Sequence, residues 1–172
     1  MGGFALRPAT PSDALALSVL ASQVFVETYG PEGISPRFAR EVTQTFEVRA
    51  LASLLAGGDT RVVVAEVADR LQGFVQWRAG QQALLPDLPS AEVQRLYVLR
   101  ALAGRGIGSW LLARAEGDAA SLGAKQSWLT AWVGNKSALA FYARRGYGVA
   151  GTAPYVFEDE SWDNQVLVKP LA

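Results

Sequence analysis

Apolar residues along this 172-residue chain recur at two spacings, one typical of helices and one typical of strands. Helical spacing covers residues 14–28, about 36–55 (one helix or two), about 107–122 and 137–145. Runs rich in β-branched and aromatic residues predict strands at 4–7, 61–67, 71–77, 91–99, 127–133, 149–157 and 165–168. The resulting order, β-α-α-β-β-β-α-β-α-β-β, predicts the α/β (α+β) class, with helices on the faces of a mixed sheet.

Turn and cap residues separate these elements. Ser12 or Asp13 is expected to cap the first helix, and Gly57-Gly58 is expected to end the second helical stretch. The tripeptide at 68–70 predicts the turn of an antiparallel hairpin. The prolines Pro86 and Pro89 mark a loop before the next strand.

The composition narrows the chemistry. The 16 Lys and Arg residues balance the 16 Asp and Glu residues, so the net charge gives no sign of a basic surface for nucleic acid or an acidic membrane. No apolar run approaches the roughly 20 residues of a membrane span, and the N-terminus has no signal-peptide pattern, so we expect one cytoplasmic domain over residues 1–172. The chain has no cysteine and no histidine, so thiolate and imidazole nucleophiles are excluded and no metal site is expected. Acid–base chemistry is left to carboxylates, Tyr, Lys or positioned water.

The strongest chemical signal is a glycine-rich loop between a strand and a helix, Leu96-Tyr-Val-Leu-Arg-Ala-Leu-Ala-Gly104-Arg-Gly-Ile-Gly108-Ser-Trp-Leu-Leu. Its glycines let backbone N–H groups approach a ligand, and the helix N-terminus adds positive potential, which suits phosphate oxygens. Arg105 and Ser109 add side-chain donors. The loop is not a dinucleotide fingerprint, whose third glycine would fall at Leu111, and it lacks the Gly-Lys-Ser/Thr of a Walker A loop. By itself it is also consistent with a simple chain reversal.

A second motif begins about thirty residues later, Val133-Gly-Asn135-Lys-Ser-Ala138-Leu-Ala-Phe141-Tyr142-Ala-Arg-Arg-Gly146-Tyr147. Asn135 is expected to cap a short helix, and Gly146 to take the left-handed position where that helix ends. Ala138 is small enough to let a ligand lie close. Phe141 is assigned to the core. Tyr142 is either a core residue or a proton donor, since a phenol with a pKa of about 10 is protonated at neutral pH.

These two motifs, in this order, resemble those of the Gcn5-related N-acetyltransferase (GNAT) family. The stretch Ala103-Gly-Arg-Gly106-Ile-Gly108 is similar to the family's acyl-CoA pyrophosphate loop, Gln/Arg-x-x-Gly-x-Gly/Ala, with Ala103 in place of Gln or Arg. The resemblance implies a mostly antiparallel sheet of about six to seven strands flanked by about four helices. It also implies acetyl-CoA as co-substrate and acetyl transfer to a primary amine, on a small molecule such as a polyamine or on a peptide.

The resemblance further implies roles for individual residues. Tyr142 is expected to protonate the departing CoA thiolate. Glu92, or an ordered water, is expected to take the proton of the amine, with a solvated strand carboxylate as the alternative interpretation of Glu92. The residues implied in cofactor binding are Tyr97, Val98, Gly104, Arg105, Gly106, Ile107, Gly108, Ser109, Asn135 and Ala138.

The likeness extends more weakly to other segments. The first-helix ending, 25–30, and the tail, 155–171, look like a branch that includes polyamine acetyltransferases. Segment 29–55 is the kind of region that walls the acceptor groove. Some residues have two possible interpretations: they either contact the acceptor or cofactor, or they pack in the core or lie on the surface. These residues are Glu27, Tyr29, Phe38, Phe46, Trp77, Trp128, Trp132, Arg144 and Arg145.

Three other functions stay open on the sequence. The same scaffold serves transferases for succinyl-CoA or longer acyl-CoA donors. A non-catalytic CoA-sensing or interaction domain would keep the loop without turnover, and a nucleotide-binding regulator would prefer ATP. The closing strands also leave a homodimer open, through pairing or swapping of the tail strand.

Overall fold

A computed structural model describes residues 3–80 and 88–171 of the chain. The strands are β1 Ala5–Pro8, β2 Thr60–Val67, β3 Arg70–Gly80, β4 Ser90–Val98, β5 Gln126–Trp132, β6 Gly148–Phe157 and β7 Glu160–Pro170. The helices are α1 Ala14–Tyr29, α2 Pro36–Thr45, α3 Val48–Ala56, α4 Ile107–Ser121 and α5 Lys136–Ala143. Short 3-10 turns occur at Pro11–Asp13 and Arg100–Leu102.

The strands form a seven-stranded sheet in the order β1-β2-β3-β4-β5-β7-β6. β1 is antiparallel to β2, and β5 and β6 are both antiparallel to β7. β4 pairs with β5 in parallel, over Ser90–Glu92 and Gln126–Trp128. The mixed, mostly antiparallel sheet and its element order confirm the predicted fold class.

The second helical stretch is two helices, as its length allowed. α2 ends at Thr45, and the N–H of Phe46 closes its last turn on the Val42 carbonyl. Glu47 then starts α3, because its carboxylate accepts hydrogen bonds from the N–H groups of Arg49 and Ala50. This capping lowers the pKa of Glu47 through those two backbone bonds.

The described chain divides into two compact units. The first contains Met1–Trp77 and Arg95–Ala115. Its core forms where α1, α2 and α3 pack on β2 and β3, with Tyr97 and Leu99 of the β4 end against it. The buried residues of this core are Ala14, Leu17, Leu20, Ala21, Phe25, Val42, Phe46, Leu51, Val62, Val64 and Phe74.

The second unit contains Arg78–Gln94 and Glu116–Ala172. β6 and β7 form a long hairpin, paired from Gly148 and Val168 at one end to Phe157 and Glu160 at the other. β5 pairs along the other edge of β7 and contributes the buried residues Ser127, Trp128, Leu129 and Ala131.

The start of the first helix differs from the sequence prediction. Neither Ser12 nor Asp13 makes a capping hydrogen bond to α1. The Asp13 carboxylate instead accepts from the Thr10 N–H at 2.7 Å and from the Arg7 guanidinium at 2.8 and 2.9 Å. Hydrogen bonding to Arg7 lowers the pKa of Asp13 to about 2. Sequence spacing did not reveal this role, because Arg7 comes from the preceding strand.

Two further predictions concern particular segments. Of the loop prolines, Pro86 lies outside the described residues, and the Pro89 carbonyl accepts from the N–H of Lys125 at 2.7 Å. In residues 3–80 and 88–171, no helix is both long and apolar enough to cross a membrane.

Candidate functional site

The glycine loop, residues 103–108, joins a 3-10 turn to α4. Ala103 closes the turn by donating its N–H to the Arg100 carbonyl at 3.1 Å. Gly104 and Gly106 then adopt φ of +79° and +85°, a conformation that side chains with a Cβ rarely take. α4 starts at Ile107, whose side chain is buried. The glycines are therefore required by the backbone path itself.

The first turn of α4 gives the loop its chemical character. The N–H groups of Ser109 and Trp110 both donate to the Gly106 carbonyl, at 3.0 and 3.1 Å. The N–H groups of Ile107 and Gly108 lie at the start of the helix, where no helical carbonyl precedes them to accept their hydrogen bonds. They are therefore available to a ligand. A Cβ on Gly104 would meet nothing within 4 Å, so this side of the loop is open. Arg105 is exposed and Ser109 half-buried beside it. The arrangement suits an anion such as a phosphate.

The end of β4 lies in the same unit as the loop. A Cβ on Gly73 of β3 would lie 2.6 Å from the Tyr97 carbonyl oxygen, so only glycine allows the two strands this close. The Tyr97 ring packs edge-on against Phe74, 5.4 Å between centroids, and against Phe46 at 6.2 Å. Val98 is half-buried and ends the strand. The close approach of β3 therefore restrains the backbone of Tyr97 and Val98 on one side.

Glu92 belongs to a polar cluster in the second unit. Its carboxylate lies 3.6 Å from the Arg78 guanidinium and accepts from the Gln94 amide at 3.2 Å. The side chain is 26% exposed, so the carboxylate is accessible. Glu92 pairs in register with Trp128, while buried Ala91 pairs with buried Ser127. Because side chains alternate along a strand, Glu92 shares the Trp128 face of the sheet, which the sequence left undecided.

The second motif folds as its local pattern predicts. The Asn135 side chain accepts from the Ala138 N–H at 3.1 Å and so caps α5. Ala138 is half-buried. At the other end, Gly146 has φ of +88°, and its N–H donates to the Ala143 carbonyl while that of Tyr147 donates to the Tyr142 carbonyl. These are the bonds of a Schellman motif with glycine at its left-handed position.

Tyr142 is buried, with 8% of its surface exposed. Its ring packs edge-on against those of Phe141 and Tyr147, at centroid distances of 5.2 and 5.6 Å. Phe141, assigned to the core from sequence, is only half-buried, and the Arg145 guanidinium covers its ring at 5.0 Å. Of the two neighbours, Tyr142 is therefore the more enclosed.

A buried polar network lies next to Tyr142. The Tyr147 hydroxyl donates to a Glu116 carboxylate oxygen at 2.9 Å and lies 2.8 Å from the Ser127 hydroxyl. A phenol has one proton, so Ser127 acts as donor in the second bond. The other Glu116 oxygen accepts from the Lys169 ammonium at 2.6 Å. Burial, with Glu116 adding, raises the pKa of Tyr147, so this hydroxyl stays protonated.

Sequence reasoning missed this network. Glu116, Ser127 and Lys169 lie on three different elements, and no local spacing connects them. The available signal was weak: Tyr147 follows the helix-ending Gly146, a position that commonly packs back on the helix.

The remaining candidates are explained mostly by packing. Phe46 and Trp77 are 2% and 1% exposed, in the core, and Phe38 stacks on Phe25 at 5.7 Å. Trp128 is buried, whereas Trp132 is half-buried against Gly134, where a Cβ would collide with its ring. Glu27 accepts from Gln23, Tyr29 packs on Phe25, and Arg144 is exposed. Among residues 3–80 and 88–171, no group of three or more acidic side chains is gathered as a metal site would need.

The structure thus gathers the predicted residues into two sets. Tyr97, Val98 and the glycine loop with Ser109 belong to the first unit. Glu92, Asn135, Ala138 and Tyr142 belong to the second.

Comparison with known proteins shows which family and which relatives this chain resembles. A family model described as "Acetyltransferase (GNAT) family" matches residues 26–147. The chain is 22% identical over 172 residues to an uncharacterised N-acetyltransferase of the pepI 3′ region in Lactobacillus delbrueckii subsp. lactis, covering 99% of each chain. It is 24% identical over 160 residues to an uncharacterised N-acetyltransferase of Mycobacterium tuberculosis, covering 93% of this chain and 99% of that one.

Solved structures share the fold at low identity. The PaiA N-acetyltransferase of Thermoplasma acidophilum, in complex with coenzyme A, superposes with a TM-score of 0.78 at 19% identity, covering 98% of this chain and 99% of that one. NAA60 of Arabidopsis thaliana, in complex with a bisubstrate analogue, gives a TM-score of 0.73 at 17% identity, covering 97% of each chain.

Proposed function

This chain belongs to the acetyltransferase (GNAT) family and is an N-acetyltransferase, and from that premise we propose that it moves an acetyl group from acetyl-CoA to a primary amine on a small molecule or peptide. The observation that carries the proposal is the glycine loop. Two positive-φ glycines place open backbone at the start of α4, where N–H groups and positive potential meet.

The loop is proposed to hold the pyrophosphate of the donor. Gly104, Gly106 and Gly108 leave room for phosphate oxygens, and Ile107 fixes the loop through its buried side chain. Arg105 and Ser109 are placed to add side-chain hydrogen bonds. Ala103 removes the side-chain contact that Gln or Arg would make, so the backbone N–H groups supply most of the binding.

The pantetheine arm is proposed to lie along the backbone of Tyr97 and Val98. Support comes from Gly73, which allows β3 to approach that backbone closely and so holds it in place. Asn135 and Ala138 are proposed to contact the same arm. The Asn135 side chain already uses its oxygen to cap α5, so its amide NH₂ remains the group for the ligand.

Transfer is proposed to occur directly, with both substrates bound. The neutral amine nitrogen attacks the thioester carbon, the carbon–sulfur bond breaks, and the leaving thiolate needs a proton. The Tyr142 hydroxyl is proposed to donate it, and Glu92 or an ordered water to take the proton that the amine loses. An acetylated thiol or imidazole intermediate is excluded, because the chain has no cysteine and no histidine. Proximity of the two substrates supplies much of the acceleration.

Isothermal titration with acetyl-CoA tests the proposal, using two matched glycine variants. Gly104 and Gly123 both have positive φ, and a Cβ on either meets nothing within 4 Å. Alanine at each therefore adds similar backbone strain, but only Gly104 lies in the loop. We expect 1:1 binding to the wild type, a loss of about tenfold or more in Gly104→Ala, and little change in Gly123→Ala.

Controls separate the alternative ligands and functions. Preference for ATP over acetyl-CoA would favour a nucleotide-binding role, and tighter binding of succinyl-CoA would favour another acyl donor. Absence of acetyl-CoA binding to well-folded protein contradicts the proposal. CoA release with an amine is followed by a thiol reagent, to which a protein without cysteine contributes no background.

A further inference from the structure

Trp110 is the tryptophan that the fold leaves uncovered. It lies in the first turn of α4 and is 62% exposed. All five tryptophans of the chain fall within the described residues: Trp77 and Trp128 are buried, and Trp132 and Trp162 are half-buried. A single exposed apolar side chain is common on protein surfaces, so the position of Trp110 matters more than its exposure.

The indole of Trp110 lies against the glycine loop. Its Cδ1 and Nε1 atoms are each 3.8 Å from the position that a Cβ on Gly106 would take. Side chains of a helix lean towards its N-terminus, which brings the ring over the residue four positions earlier. The backbone holds the same pair together, because the N–H of Trp110 donates to the Gly106 carbonyl at 3.1 Å. The pyrrole edge of the indole therefore lies beside the loop, while much of the side chain stays open to solvent.

The surface around Trp110 leaves its ring accessible. Ala113 and Gly117, one and two turns further along the same side of α4, are small and exposed. Arg114, the other residue one turn on, is half-buried. On the loop side, Gly104 is exposed, and a Cβ there would meet nothing within 4 Å. The indole thus has small residues beside it on the helix and open glycine backbone beside it on the loop.

The two ends of the donor's pyrophosphate give the donor a direction at this loop. One end carries the pantetheine arm, which is proposed to run along the backbone of Tyr97 and Val98, before the loop. The other end carries a ribose and an adenine. With the pantetheine arm towards β4, the nucleotide is left on the side of the first turn of α4, where Trp110 lies. All of these residues belong to the first unit.

We propose that Trp110 binds the nucleotide of the donor, with its indole stacked on the adenine. Indole and adenine are both flat aromatic systems, and offset stacking is a favoured arrangement of such rings. Stacking of one base on an aromatic side chain strengthens binding by about tenfold. The loop then recognises the pyrophosphate and Trp110 recognises the base, so the donor is held at two separate points.

This inference rests on the proposed function, because it concerns the donor of that reaction. The alternative is a supporting role, in which the indole only packs against Gly106 and keeps the loop in place. The two roles differ in their dependence on the ligand. A stacking residue strengthens the binding of donors that carry the base, whereas a loop support strengthens the binding of every donor that carries a phosphate.

Titration calorimetry with three donors separates the two roles. Acetyl-CoA is the complete donor, acetyl-dephospho-CoA lacks the 3′-phosphate but keeps the adenosine, and acetyl-4′-phosphopantetheine lacks the whole nucleotide. In Trp110→Ala we expect the two adenosine-bearing donors to bind about tenfold or more weakly, and acetyl-4′-phosphopantetheine to bind within about twofold of the wild type. Trp110→Phe should give an intermediate loss for the adenosine-bearing donors, because a smaller aromatic ring remains.

Leu15→Ala is the matched control. Leu15 also lies in the first turn of a helix, α1, and is 65% exposed. It belongs neither to the glycine loop nor to α4. All three donors should therefore bind to this variant as they bind to the wild type.

The outcomes separate this inference from the proposed function. An equal loss for all three donors in Trp110→Ala, or no loss for any of them, overturns the stacking inference and leaves the donor site in place. A loss in Leu15→Ala as large as that in Trp110→Ala overturns it as well. Failure of the wild type to bind acetyl-CoA contradicts the proposed function itself, and with it this inference.

Discussion

The ring of Tyr147 packs edge-on against the ring of Tyr142, with centroids 5.6 Å apart and an interplanar angle of 67°. The N–H of Tyr147 also donates to the Tyr142 carbonyl at 3.1 Å. Tyr147 therefore holds Tyr142 by side chain and by backbone. Glu116 and Lys169 in turn fix the Tyr147 hydroxyl, so the position of the proposed acid depends on residues far away in sequence.

Removing the Tyr147 hydroxyl should destabilise the protein. Tyr147→Phe keeps the ring contact but leaves Glu116 and Ser127 each without one hydrogen bond in a buried site. We expect a loss of about 1–2 kcal/mol in the free energy of unfolding, measured by urea denaturation. Tyr155→Phe is the control, because Tyr155 is 40% exposed and should change stability by less than about 0.5 kcal/mol. Equal effects in the two variants would show that the network contributes nothing.

Removing the Tyr142 hydroxyl should slow the reaction without weakening donor binding. If this hydroxyl protonates the CoA thiolate, Tyr142→Phe lowers kcat by about tenfold or more. The dissociation constant of acetyl-CoA should stay close to that of the wild type, because the phenyl ring keeps its contacts with the rings of Phe141 and Tyr147. An unchanged kcat, measured by CoA release, would eliminate the acid role.

Two glycine-to-alanine changes should have opposite effects on the stability of the protein. A Cβ on Gly73 would lie 2.6 Å from the Tyr97 carbonyl oxygen and 3.2 Å from the Val98 Cα, both backbone atoms that cannot turn away. Gly73→Ala should therefore cost about 1–3 kcal/mol of stability. Gly117 in α4 has nothing within 4 Å, so Gly117→Ala should stabilise the helix by about 0.5–1 kcal/mol. Thermal denaturation compares the two, and stabilisation by Gly73→Ala would contradict the close approach of β3 and β4.

Stability should decrease in acid through Asp13. Arg7 lowers the pKa of this carboxyl from 3.8 to about 2, so the unfolded chain binds the proton more readily than the folded one. The contribution of the pair is present above about pH 4 and is lost as the pH falls towards 2. With Arg7 36% exposed, we expect about 1–2 kcal/mol. Urea denaturation of wild type and Asp13→Asn across this range measures it, and parallel curves for the two proteins would argue against the pair.

Donor binding should be visible in the fluorescence of Trp110. This side chain is 62% exposed, and its ring lies 3.8 Å from the Cβ position of Gly106 in the glycine loop. Trp77 and Trp128, by contrast, are 1% and 7% exposed. Acetyl-CoA should change the emission of the wild type, and Trp110→Phe should remove most of that change while titration calorimetry still detects binding. A signal retained in Trp110→Phe would place the ligand elsewhere.

The sequence by itself determined the order of the elements, the class of the sheet and the local devices of the candidate site. The Asn135 cap, the left-handed Gly146 and the glycine loop were all predictable, because each depends on hydrogen bonds or backbone angles within a few residues. The sequence pattern allowed either one helix or two over residues 36–55, so it was compatible with the break between α2 and α3 but did not decide it.

Only the tertiary structure decided which polar side chains meet. Glu116 is 31 residues from Tyr147 and 53 from Lys169, and Gln76 is 19 residues from Arg95. Asp13 pairs with Arg7 instead of capping α1, and Tyr142 is more enclosed than Phe141. The physical reason is the same in each case: propensity and capping act over one turn of chain, whereas the partners of a buried charge or ring are set by how separate elements pack.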